Sequence, residues 1–194
     1  KRRSLSVMGY AYPYIRRNVL LKALPYLTYL AIFSYGFRDS GELIGIDDSE
    51  LIRLAYEYGA VPVMVLTTID ENGAFSTEKA KALLEDIAYQ NTVLDNVIET
   101  MQRKGYLALD VDFEFIPYDY GDEYLNFLRN ARQRLSANGF TLSVALAPKT
   151  YANQPGILYE AHNYPAIGQI ANRVLLMTYE WGYTYGPPMA VAPL

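Results

Sequence analysis

Cysteine is absent from this chain. No disulfide framework, thiolate metal site or cysteine nucleophile can be built without it, and the absence is compatible with an exported bacterial protein. Histidine and tryptophan are scarce as well, at one each, His162 and Trp181. One imidazole supplies neither a histidine cluster for zinc nor a serine–histidine pair with a spare base. His162 therefore reads as a structural or surface residue of the 159–164 loop. Basic charge is sparse: 17 Lys+Arg stand against 21 Asp+Glu, net −4, and Lys1-Arg2-Arg3 is the one basic cluster. A phosphate backbone is a poor partner for such a surface, so no nucleic acid is expected. No apolar run approaches the ~20 residues of a membrane-crossing helix. No signal peptide is evident, and the N-terminus reads as that of a domain cut from a longer precursor.

What is present is apolar and aromatic. Hydrophobic residues make up 51% of the 194, enough for one substantial core, and 19 are tyrosine. A tyrosine has an apolar ring face and a polar tip, which suits stacking on sugar rings as well as ordinary packing. Short apolar runs at 5–10, 29–34, 61–67, 107–115, 141–147 and 174–179 alternate with amphipathic stretches near 48–58, 77–104, 124–137 and 164–170. That alternation is the pattern of βα units and a parallel sheet. Asn91-Thr92 is expected to divide the longest stretch into two helices, and Asp47-Asp48-Ser49-Glu50 to open another. Aromatic loops follow the strands, among them Tyr10-Ala11-Tyr12-Pro13, Ser34-Tyr35-Gly36-Phe37 and Glu180-Trp181-Gly182-Tyr183. In parallel α/β folds the ligand site lies at those strand ends. No glycine-rich phosphate loop is among them. Tyr10, Tyr35, Phe37 and Trp181 are thus candidates for sugar contact, with packing an equal alternative for each. Six units at roughly 32 residues apiece fall short of the ~250 residues of a closed (β/α)8 barrel.

The most informative segment is Leu109-Asp110-Val111-Asp112-Phe113-Glu114-Phe115. On a strand its three acids share one face at steps of about 6.6 Å. Buried carboxylates without cations shift their pKa or neutralise, so such a row can keep one carboxyl protonated while its neighbours stay charged. Glu114 is positioned as that acid, with Asp112 as the charge that holds its proton. The spacing is too linear to wrap one ion, and neither a metal nor a cofactor is expected.

Residues 105–115 resemble the fourth-strand signature of family 18 glycoside hydrolases, D-x-x-D-x-D-x-E, and Met177-Thr178-Tyr179-Glu180 resembles that family's M-x-Y-D. Leu146-Ala147-Pro148-Lys149-Thr150 and the run from Leu175 to Pro188 are similar to the spore-germination, cortex-lytic N-acetylglucosaminidases, a subgroup often joined to LysM modules. Leu107 stands in place of the family's first Asp, and Glu180 in place of its Asp after the Tyr. The resemblance implies a (β/α)8 TIM barrel of which residues 1–194 are a single glycosidase domain, C-terminally incomplete, with the first six βα units. It implies substrate-assisted, retaining cleavage of N-acetylglucosamine linkages in peptidoglycan of the spore cortex, at an extracellular, spore or cell-wall location. Glu114 would be general acid/base, Asp112 would orient the acetamido group, Asp110 would tune Asp112, and Tyr179 would bond the acetamido oxygen. Glu180, Trp181 and Met177 would line the sugar site. The alternatives are a chitinase or chitooligosaccharide hydrolase and an inactive, lectin-like barrel. An incomplete barrel also implies self-association through open sheet edges.

Overall fold

A computed structural model describes residues 5–70, 72–179, 182 and 185–191. Six parallel strands lie side by side: β1 (Met8–Ala11), β2 (Tyr29–Phe37), β4 (Val61–Thr67), β5 (Ala108–Asp112), β6 (Thr141–Leu146) and β7 (Arg173–Leu176). The short β3 (Leu43–Ile44) turns back antiparallel on the end of β2. The crossovers carry α1 (Arg17–Ala23), α2 (Ser49–Glu57), α3 (Thr77–Glu85), α4 (Ile87–Lys104), α5 (Gly121–Ala137) and α6 (Tyr164–Ile170). Strand order follows chain order throughout, the arrangement of successive βα units winding into a barrel.

The period of two along each strand separates two cores. Leu30, Ile32, Met64, Leu66, Leu109, Val111, Leu142 and Val144 face outward into the large core beneath the helices. Alternate residues Ala31, Val63, Val65 and Ala108 form a smaller cluster on the inner face, with Met8, Tyr29 and Phe33 against it. The inner side chains are smaller because the sheet is curled. The Arg173 guanidinium of β7 lies 4.2 Å from the ring centroid of Tyr29 on β2, although three strands intervene in the sheet. Only a strongly curved sheet brings those two together.

Helix boundaries correct one expectation. The break between α3 and α4 falls at Asp86, not at Asn91-Thr92. The Asp86 carboxylate accepts from the amides of Ala88 (2.8 Å) and Tyr89 (3.1 Å), an N-cap that starts a new helix there. Asn91 instead stays helical and receives Asn130 from α5 at 3.1 Å. The helix Arg17–Ala23 gives little signal in the sequence, since it buries Leu20 alone. β5 also ends sooner than its composition suggests, at Asp112 rather than Phe115.

Candidate active site

The inner face opens at the carboxyl ends of the strands into a cleft of about 890 Å³. Asp112 and Glu114 lie on its floor, Tyr10, Tyr12, Tyr14 and Phe33 on the β1–β2 side, and Leu175, Met177 and Tyr179 on the β7 side. Sequence reasoning brought Tyr10, Asp112, Glu114, Met177 and Tyr179 to this place, and the structure gathers all five. Glu180 and Trp181 lie outside the described residues.

Asp110 is the deepest acid and is fully buried. One of its oxygens accepts the Tyr10 hydroxyl at 2.7 Å, and the other accepts the Ser143 hydroxyl from β6. Burial pushes its carboxyl up, and the bonds from Ser143 and Tyr10 work against that rise. Tyr10 is pushed well above the ordinary phenol range by its own burial and then by Asp110, with smaller contributions from Asp112 and Tyr179. Its ring faces the cleft while its hydroxyl is committed to Asp110.

Asp112, one strand step nearer the opening, is 6% exposed, and its Oδ1 has no hydrogen-bond partner among the described residues. Burial first, then the charges of Glu114 and Asp110, push its carboxyl up to about 8. A buried acid with no cation beside it retains its proton near neutral pH, because ionising it adds like charge in a poorly solvated site. The sequence pattern predicts a retained proton on Glu114, and the Asp112 carboxyl beside it is itself raised to about 8.

Glu114 is half-buried and stands just past the strand end. The chain turns there through Phe115, whose φ of +57° is left-handed. For a residue with a Cβ this conformation costs about 1–2 kcal/mol. The Phe115 carbonyl accepts the Thr77 hydroxyl at 3.1 Å, and the Phe115 ring meets Phe75, a cleft residue, at 6.2 Å between centroids.

Two sugar-contact candidates do not reach the cleft. Tyr35 is 1% exposed and Phe37 fully buried, both on the helix side of β2. The cause is a register shift between Ile32 and Tyr35 against β4, which reverses the alternation after Phe33. Tyr35 donates to Asp48, and Phe37 packs edge-on to Tyr89 and against Phe113. The surface those two were expected to supply comes from Tyr12, Tyr14 and Phe33. Tyr12 stacks on Tyr14 at 5.0 Å and meets Phe33 edge-on at 5.4 Å. The signal for Tyr12 was present in the aromatic loop after β1. Phe33 could not be separated from its neighbours without the register.

His162 is a buried brace and not a reacting group. Its Nδ1 accepts the Ala147 amide at 3.0 Å, which leaves the ring proton on Nε2, 3.3 Å from the Phe113 carbonyl. It ties the end of β6 to the residue between Asp112 and Glu114. Burial holds its pKa down to about 4, so the ring is neutral. Among the described residues no three His, Asp or Glu side chains converge as metal ligands.

The inner-face acid row stands at the carboxyl end of a curled parallel sheet, and solved chitinase structures share that fold. That of Chromobacterium violaceum chitinase aligns with a TM-score of 0.85 over 97% of this chain and 60% of the other, at 18% identity, a likeness of fold alone. No protein-family model matches the chain. Relatives at higher identity are more particular. The cortical fragment-lytic enzyme of Bacillus subtilis (strain 168) is 40% identical over 173 residues, 89% of this chain and 40% of the relative. That of Bacillus anthracis is 39% identical over 171 residues, 88% of this chain and 39% of the relative. The crystal structure of the Bacillus cereus spore cortex-lytic enzyme SleL aligns with a TM-score of 0.91 at 36% identity, over 100% of this chain and 46% of that one. In sequence and in fold the chain is similar to these cortical fragment-lytic and spore cortex-lytic enzymes. It spans about two fifths of the length of the curated relatives it matches.

Proposed function

We propose that this chain forms the catalytic face of a glycosidase that cleaves N-acetylglucosamine linkages in spore cortex peptidoglycan, with retention at the anomeric carbon. The observation that carries the reading is the acid row itself: Asp110, Asp112 and Glu114 rise from the inner face to the cleft floor, and Asp112 is buried there with no cation among the described residues. The names of the relatives supply the substrate class.

The reaction assigned to this geometry is substrate-assisted. The acetamido carbonyl oxygen of the bound sugar attacks its own anomeric carbon. The glycosidic C–O bond breaks, its electron pair goes to the leaving oxygen, and Glu114 delivers its proton to that oxygen. The proton that the free site keeps on Asp112 passes to Glu114 once the sugar is bound, and Asp112, then a carboxylate, accepts the acetamido N–H and balances the positive charge of the oxazolinium intermediate. Asp110, held by Tyr10 and Ser143, supports Asp112 from below. Tyr179 donates to the acetamido oxygen. Water then attacks the anomeric carbon as its bond to the acetamido oxygen breaks and the electron pair returns to that oxygen, Glu114 takes the water's proton, and the second inversion restores the configuration. In this reading the 194 residues are one catalytic domain with six of the barrel's eight βα units, acting at the spore or cell wall.

Mass spectrometry of products from purified spore cortex tests the proposal, with the protein run beside its Glu114→Gln variant. New reducing-end N-acetylglucosamine fragments are expected, falling by about 10²–10⁴-fold in the variant. Binding to cortex without products, from a folded protein, would make it a carbohydrate-binding relative. Cleavage of chitooligosaccharides alone would make it a chitinase.

A further inference from the structure

Glu114 is followed by a turn that is expensive by itself and held from one side. Phe115 is the sole non-glycine residue with positive φ among the described residues. A left-handed residue swings its carbonyl away from the strand direction, and this carbonyl finds the Thr77 hydroxyl at 3.1 Å. Thr77 is the first residue of α3, and it does not cap that helix; Ser76 does, accepting the Lys79 amide at 3.2 Å. The Thr77 hydroxyl is therefore spent on the Phe115 carbonyl and not on its own helix. Its base is firm. Ile69 bridges to Phe75, the Asp70 carboxylate accepts from the amides of Asn72 (2.9 Å) and Ala74 (3.1 Å), and the Ser76 amide bonds the Thr68 carbonyl at 3.0 Å. On the far side a Cβ at Gly36 would come within 2.5 Å of the Ile69 carbonyl, so β2 backs this segment directly.

We propose that Thr77 is a positioning residue for Glu114: by holding the Phe115 carbonyl, its hydroxyl sets the direction in which the Glu114 side chain leaves the end of β5. The inference rests on the glycosidase reading for its activity readout, though not for its structural one. Thr77→Val keeps the shape and removes the donor, and Thr77→Ser restores it. In the purified protein acting on soluble cortex fragments, Thr77→Val is expected to lower kcat about ten- to a hundredfold with KM moved less than about twofold. Thr77→Ser is expected to recover the rate. Carboxyl-carbon NMR titration without substrate gives a second readout. As the Glu114 charge moves away, the Asp112 midpoint falls from about 8 toward the ordinary carboxylate range in Thr77→Val.

An unchanged kcat and an unchanged Asp112 midpoint, with only a lower melting temperature, would reduce Thr77 to a helix-start residue and overturn the proposal. Phe115→Asn, which accepts a left-handed φ and keeps the carbonyl, decides the matter if Thr77→Val does not fold. A retained rate supports the Thr77 bond, whereas a matching loss assigns the effect to the Phe75–Phe115 ring contact and overturns it. If the wild-type protein releases no products, the glycosidase reading fails and the NMR comparison alone judges Thr77.

Discussion

Asp48 and Asp112 are the same residue, both buried, in opposite electrostatic circumstances. Asp48 sits on the helix side of the sheet. The Lys104 ammonium lies 2.6 Å from one of its oxygens, and the Tyr106 (2.6 Å) and Tyr35 hydroxyls donate to the other. Burial pushes its carboxyl up, yet the bonds from Lys104, Tyr106 and Tyr35 outweigh that and leave it below the ordinary range. Asp112 sits on the inner face with two acids and, among the described residues, no cation, and its carboxyl rises to about 8. A polar group buried for the fold is supplied with partners. A buried acid left without a cation is costly to the fold, and such groups concentrate where chemistry is done.

The widest test of this contrast is the pH dependence of stability. Asp112 has a folded pKa of about 8 against ~3.9 unfolded, so the folded state binds more protons between those values. Its contribution is fully present below pH ~4 and is lost as pH rises through about 8, on the order of 5 kcal/mol across the window. Asp112→Asn should reduce that slope in urea melts between pH 4 and 9, leaving the share of Asp110, whose carboxyl is also raised, and an unchanged slope would place the titrating group elsewhere. Asp48 has the opposite sign: its stabilisation is present above pH ~4 and lost below it, as its lowered carboxyl takes a proton.

Next in size is Lys104→Met, which strands the Asp48 charge in the core. A loss of about 3–5 kcal/mol in chemical denaturation is expected, against little change in the Asp112 midpoint. A large movement of that midpoint would couple the two regions and break the comparison. The smallest effect belongs to Tyr10→Phe. It leaves one Asp110 oxygen unpaired at a cost of about 1–3 kcal/mol, and the Asp110 carboxyl should titrate higher by NMR because a bond that opposes its rise is gone.

Much of this architecture was legible from local pattern. The βα alternation, β4 at 61–67 and α6 at 164–170 follow from apolar runs and amphipathic stretches read over a few residues. Asp110 and Asp112 share the inner face because a strand's period of two admits no other arrangement. The candidate site was legible wherever that period ran unbroken. It failed at Tyr35 and Phe37, where the register shift after Ile32 turned both rings into the helix-side core.

By itself, then, the sequence determined a parallel βα protein, an acid row on one strand face, and its family resemblance, because each is written in neighbouring residues. Tertiary structure alone decided how far the Asp112 carboxyl is raised, which aromatics face the cleft, and that the lone histidine braces two strand ends. Those outcomes depend on partners far apart in the chain. Tyr10 and Asp110 are 100 residues apart, Asp48 and Lys104 56, and Phe113 and His162 49. A pKa or an orientation is set by whatever packs against the group, and only the fold brings those partners within reach.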